Sequence, residues 1–155
     1  MPSLTGGEII AQTLTNYGVK YGAGIPGHGV WALLDGFLQD GSDVDVLQVF
    51  HEQSAVHLAD GYYRASGKPM VALTSVGPGA ANSLMGLATA YADSASLLAI
   101  TGAPPLHMQG HGTMQELERH RDNDFARMVE PATKRTWQIN TVAEIPFVLH
   151  RAFNA

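Results

Sequence analysis

The 155-residue sequence contains no cysteine, so neither a disulfide framework nor a thiolate metal site can be built from it. It has few cations: nine Lys and Arg residues are scattered from Lys20 to Arg151 against fourteen acidic residues, for a formal net charge of -5. Without a basic stripe, nucleic acid is excluded as an expected partner. Long hydrophobic runs are missing as well. A stretch such as Leu97–Ile100 is far below the roughly 20 residues that span a bilayer. Met1–Gly7 lacks the basic-then-apolar order of a secretory leader, so the sequence reads as a soluble, cytoplasmic protein with no membrane partner. The glycine turn Gly77–Asn82 is not the phosphate-loop signature GxxxxGK[ST], since Lys and Ser/Thr are missing at the required positions, nor a G-x-G-x-x-G in the dinucleotide-binding position, since it falls after the third strand.

What is present is 45% hydrophobic content on a length that suits one globular domain, able to bury about two-thirds of its unfolded surface. Thr5 and Glu8 form a T-x-x-E capping box ahead of Ile9, Ile10, Thr13, Leu14 and Tyr17 at helical spacing. Val19–Ile25 reads as a strand that delivers the chain into Pro26-Gly27-His28-Gly29. Trp31 to Leu38 returns to the helical period. Val44–Phe50 is a second strand running into His51-Glu52, and Ala55 to Ser66 a helix stopped at Gly67. Met70–Thr74 is a third strand, Gly77-Pro78-Gly79 opens a helix over Ala80–Tyr91, and Ser96–Thr101 reads as a buried central strand. Leu106–Asp124 is expected to hold an irregular loop with a short helix, Ala132–Ile139 a last strand, and Thr141–Phe153 a closing helix. Alternating strands and helices specify a three-layer α/β/α domain with a mostly parallel sheet of five or six strands and helices on both faces.

In such sheets ligands bind beyond the carboxyl ends of the strands. Four segments qualify: Pro26–Gly29, His51–Gln53, Ser75–Asn82, and Gly102 through Gln115. Glu52 follows an apolar strand directly. In a dry pocket, a carboxylate there can exchange a proton with a ring nitrogen at neutral pH. From spacing alone the favoured reading is a solvated first-turn glutamate supporting the helix behind it. The turn Gly77–Asn82 can cradle a phosphate, or simply allow tight helix–sheet packing. His107 and His111 are four apart among seven histidines, but no third ligand has the right spacing, and Gly110 and Gly112 oppose a helix. No metal site is expected in this chain.

Taken in order, His51-Glu52-Gln53-Ser54-Ala55, Ala59-Asp60-Gly61-Tyr62-Tyr63-Arg64-Ala65-Ser66-Gly67, Gly77-Pro78-Gly79-Ala80-Ala81-Asn82, Ala92-Asp93-Ser94 and Ile100-Thr101-Gly102 resemble the N-terminal pyrimidine-binding domain of thiamine diphosphate enzymes related to acetolactate synthase and 2-oxo acid decarboxylases. The resemblance covers nearly the whole chain. It implies that Glu52 hydrogen-bonds N1′ of the cofactor's aminopyrimidine, that Pro26, Gly27, Thr74, Pro78, Gly79 and Asn82 line the cofactor, and that His28 and Gln115 reach the reaction centre. His28 stands where the family varies, and is read either as a polar substrate contact or proton relay, or as a loop-lining residue without chemistry. Met114 replaces the phenylalanine that more often precedes the family's glutamine, and the paired histidines of the pyruvate decarboxylase branch are not evident.

The family's Gly-Asp-Gly segment, which binds Mg²⁺ and the diphosphate, does not occur in the sequence, and the central domain is missing too. The resemblance therefore implies a half-site, inactive as an isolated chain. It would be completed by a diphosphate-binding domain or subunit in a homodimer or higher oligomer acting on a small 2-oxo acid as lyase or carboligase. The alternatives are a non-catalytic self-associating or regulatory module that keeps the fold, and a flavodoxin-like nucleotide binder.

Overall fold

The computed structural model describes residues 3–112 and 124–155. Helix α1 spans Gly6–Asn16 and starts on the expected capping box, with the Thr5 side chain accepting from Glu8 N–H and the Glu8 carboxylate accepting from Thr5 N–H. Strand β1 (Tyr21–Gly24) leads through the Pro26–Val30 loop into α2 (Trp31–Phe37), and β2 (Asp45–Gln48) leads into α3 (Glu52–Ser66). Gly67 ends α3 in the left-handed region at φ 69°, a conformation that costs glycine nothing. Then follow β3 (Val71–Thr74), α4 (Pro78–Ala81), α5 (Leu84–Ala92) and β4 (Leu98–Thr101). A 3₁₀ turn lies at Leu106–Met108, and α6 (Asp124–Val129) and α7 (Ile145–Phe153) complete the helices. No helix among the described residues is long and apolar enough to cross a membrane.

The sheet is wholly parallel in the order β2-β1-β3-β4. Alternation along the strands sorts the core into two layers. Val71 and Leu73 of β3 pack with Ala11 and Leu14 of α1 and Leu33 and Phe37 of α2. On the opposite face Met70 and Ala72 pack with Ala55, Val56 and Ala59 of α3 and Leu87 of α5. This is the three-layer α/β/α arrangement expected from the alternation. Where α1 crosses α2 the backbones nearly touch, since a Cβ on Gly36 would lie 2.3 Å from the Gly7 carbonyl carbon.

Five expectations are corrected. The described residues form four strands rather than five or six. Ala132–Ile139 is not a strand: Glu130–Ala132 is a 3₁₀ turn entered through Pro131, which has no N–H to give a ladder, and residues 135–140 run without strand pairing. With no partner on its outer side among the described residues, β4 is a half-buried edge strand instead of a buried central one. The helix expected over Ala80–Tyr91 is broken into α4 and α5 at Asn82 and Ser83, and β2 is shorter than Val44–Phe50.

Candidate functional site

The chain runs from β1 outward to β2 and then crosses back to β3 on the other side of β1, so the loops after β1 and β3 part in opposite directions. Such a switch point is where parallel sheets form a ligand crevice. Here the loops are drawn together by small residues. A Cβ on Gly27 would lie 2.7 Å from the Ser75 side chain, Gly29 N–H donates to Ser75 Oγ at 3.3 Å, and Gly29 would be met at 2.6 Å by a Cβ on Gly102. The segments following β1, β3 and β4 therefore touch nearly backbone to backbone.

Glu52 is the first residue of α3 and is only 9% exposed. Its Oε2 accepts from Asn82 Nδ2 at 3.0 Å. The other oxygen, Oε1, faces Gly79, on which a Cβ would come within 3.0 Å. Gly77, at φ 57° and ψ −117°, admits the turn that brings α4 to this carboxylate. Glu52 is thus a first-turn residue, but a buried one, and the reading of it as solvated is corrected.

Thr74 ends β3 on the α3 face, continuing the alternation of Met70 and Ala72, and is fully buried. Its Oγ1 has no hydrogen-bond partner. An orphaned buried hydroxyl costs about 1–3 kcal/mol. Pro78 occupies the first turn of α4.

The structure brings Glu52, Gly79 and Asn82 together and ties the Gly27 loop to Ser75 beside them. His28 and Pro26 stand exposed in that loop. Gln115 lies outside the described residues. Among the described residues no group of three or more His, Cys, Asp or Glu is placed to hold a metal.

Two contributors escaped sequence reasoning. Ser75 joins the β1 and β3 loops, and only its place between Thr74 and the glycine turn hinted at it. His51 caps α3 by accepting from Gln53 N–H through Nδ1 at 3.2 Å. Its extended position one residue before the helix was the available signal.

Comparison with known proteins decides the family. Residues 4–123 match the family described as "Thiamine pyrophosphate enzyme, N-terminal TPP binding domain". The chain belongs to this family. Among curated relatives of this thiamine pyrophosphate enzyme domain, acetolactate synthase isozyme 3 large subunit of Escherichia coli (strain K12) is 37% identical over 153 residues, covering 99% of this chain and 25% of the relative. The probable acetolactate synthase large subunit of Methanocaldococcus jannaschii is 39% identical over 150 residues, 97% of this chain and 24% of that protein. The acetolactate synthase large subunit of Lactococcus lactis subsp. lactis is 35% identical, over 96% of this chain and 25% of its own length. The chain thus spans about a quarter of the length of these relatives.

Proposed function

We propose that this domain is the aminopyrimidine-binding half-site of a thiamine diphosphate-dependent lyase or carboligase acting on a 2-oxo acid, as in acetolactate synthases, with Glu52 as the acid that shares a proton with the aminopyrimidine ring. The observation that carries this reading is the placement of Glu52: a carboxylate 9% exposed, at the ligand edge of a parallel sheet, held by Asn82 and facing a glycine turn.

The residues present suit the cofactor. At this edge of the sheet lies one buried acid, Glu52; Thr74, the last residue of β3, carries a fully buried hydroxyl without a partner, and Gly27 and Gly79 leave no Cβ between the loops and the Ser75 and Glu52 side chains. Glu52, Thr74, Gly79 and Asn82 would hold the aminopyrimidine, and Pro26, Gly27 and Pro78 would line it. When bound, thiamine diphosphate supplies the electron sink for the carbanion left after the 2-oxo acid loses carbon dioxide. Glu52 contributes the proton and its position. Asn82 keeps one carboxylate oxygen occupied, so the other is free to face a ring nitrogen. The packed loops exclude water from between them, which strengthens a proton-sharing contact.

Among the described residues no group of His, Cys, Asp or Glu is placed to hold Mg²⁺, and in this reading the metal and the diphosphate fall to a second domain or subunit. Large apolar side chains exposed on segments that follow the strands, Trp31 after β1, Phe50 after β2 and Leu106 after β4, support an edge that another polypeptide covers.

The test is a titration of thiamine diphosphate and Mg²⁺ into this chain with and without a diphosphate-binding partner taken from a relative. Cofactor binding and carbon dioxide release from a 2-oxo acid are expected only with the partner. Association of the two without turnover favours the non-catalytic module, and tight binding of a phosphate ligand by the isolated chain contradicts the half-site.

A further inference from the structure

We infer that His51 is a positioning residue for Glu52, its imidazole closing the N-terminus of α3 and thereby fixing the backbone from which the acid projects; the inference rests on the role proposed for Glu52. The approach to α3 has few ties. The last bond from this strand to the sheet is Val49 N–H to Gly24 C=O at 3.0 Å. Only Phe50 and His51 separate it from Glu52, and Phe50, 95% exposed, holds nothing. His51 is extended, at φ −154° and ψ 138°, and carries the turn. Its Nδ1 accepts from Gln53 N–H at 3.2 Å, and its carbonyl accepts from Ser54 N–H at 3.0 Å.

The chemistry of this cap differs from that of α1, where Thr5 caps with a hydroxyl and is answered by Glu8 at the third helical position; before α7, Glu144 likewise reaches back to accept from Thr141 N–H. In α3 the third position is Ser54, so His51 bonds without that reciprocal contact. Histidine is not a favoured cap, since imidazole accepts here only through an Nδ1 that carries no proton. That requirement fixes the tautomer, leaving the proton on Nε2. Glu52 is consequently held at both ends: Asn82 fixes the tip of the side chain across 3.0 Å, and His51 fixes its root.

The experiment compares the parent chain with His51→Ala, His51→Asn and Glu52→Gln. It reads amide hydrogen exchange at Gln53 in the chain itself, and turnover of a 2-oxo acid at saturating cofactor with a diphosphate-binding partner. His51→Ala is expected to speed Gln53 exchange about five- to tenfold and to lower kcat several-fold with little change in KM for the 2-oxo acid. His51→Asn, which places a strong cap at the same position, is expected to restore both. Unchanged exchange in His51→Ala overturns the cap. Exchange restored by asparagine without restored turnover overturns positioning, because the imidazole would then act by its own chemistry. A Glu52→Gln form as active as the parent sinks the reading of the site, while Gln53 exchange still decides the cap separately.

Discussion

Asn82 Nδ2 donates to Glu52 Oε2 across 3.0 Å, joining the start of α3 to the end of α4 over a sequence separation of 30 residues. Because α3 follows β2 and α4 follows β3, this one bond closes the crevice between segments from strands on opposite sides of β1. It also leaves Glu52 with one oxygen engaged and one facing Gly79.

Replacing Asn82 by alanine is expected to lower unfolding stability by about 1.5–3 kcal/mol, the worth of a hydrogen bond to a charged group. Asn82→Asp is expected to cost more, because it sets two carboxylates against each other. Urea unfolding of both variants at neutral pH checks the order.

Thr74→Val removes a buried hydroxyl that has no partner. The isolated chain is expected to gain stability, by up to about 1–3 kcal/mol, while the complete enzyme binds thiamine diphosphate more weakly. Calorimetric titration alongside a thermal melt reads the two opposite effects.

At the crossing of α1 and α2, Gly36→Ala places a methyl 2.3 Å from the Gly7 carbonyl carbon. Backbone cannot yield as a side chain does, and the variant is expected to lose about 1–3 kcal/mol or more in urea unfolding without altering the residues around Glu52.

Hydrogen bonding from Thr5, first its backbone N–H and then its side chain, holds the Glu8 carboxyl below its ordinary value of 4.5. A group depressed on folding contributes stability that is fully present above its unfolded value and is lost as pH falls through the folded one. The gap in urea midpoint between the parent and Glu8→Gln is therefore expected to close as pH drops below the ordinary carboxylate range, and to hold steady above it.

Local signals proved the most legible. The T-x-x-E box at Thr5 and the glycine stop at Gly67 are written in neighbouring residues and appear in the structure as read, and the strand–helix alternation holds as far as β4, with one helix split in two. Whether a strand is central or at an edge is a property of what pairs with it, which explains why apolar Ser96–Thr101 suggested a buried centre and β4 lies half-buried. Ala132–Ile139 has the β-branched and aromatic residues of a strand but no ladder to join, and Pro131 turns the chain before it. In the site, spacing named Glu52 and the glycine turn but left the acid's burial open. Its partners, Gly79 and Asn82, lie 27 and 30 positions away, and no local pattern encodes such contacts. His51 went unnoticed because imidazole is an uncommon cap.

The most direct measurement is single-turnover decarboxylation of a 2-oxo acid by the complete enzyme carrying this domain, with Glu52 or with Glu52→Gln, at saturating thiamine diphosphate. A buried acid that shares its proton with the aminopyrimidine requires the rate to fall about 10²- to 10⁴-fold while the cofactor still binds. A glutamine form within a few-fold of the parent would contradict the account.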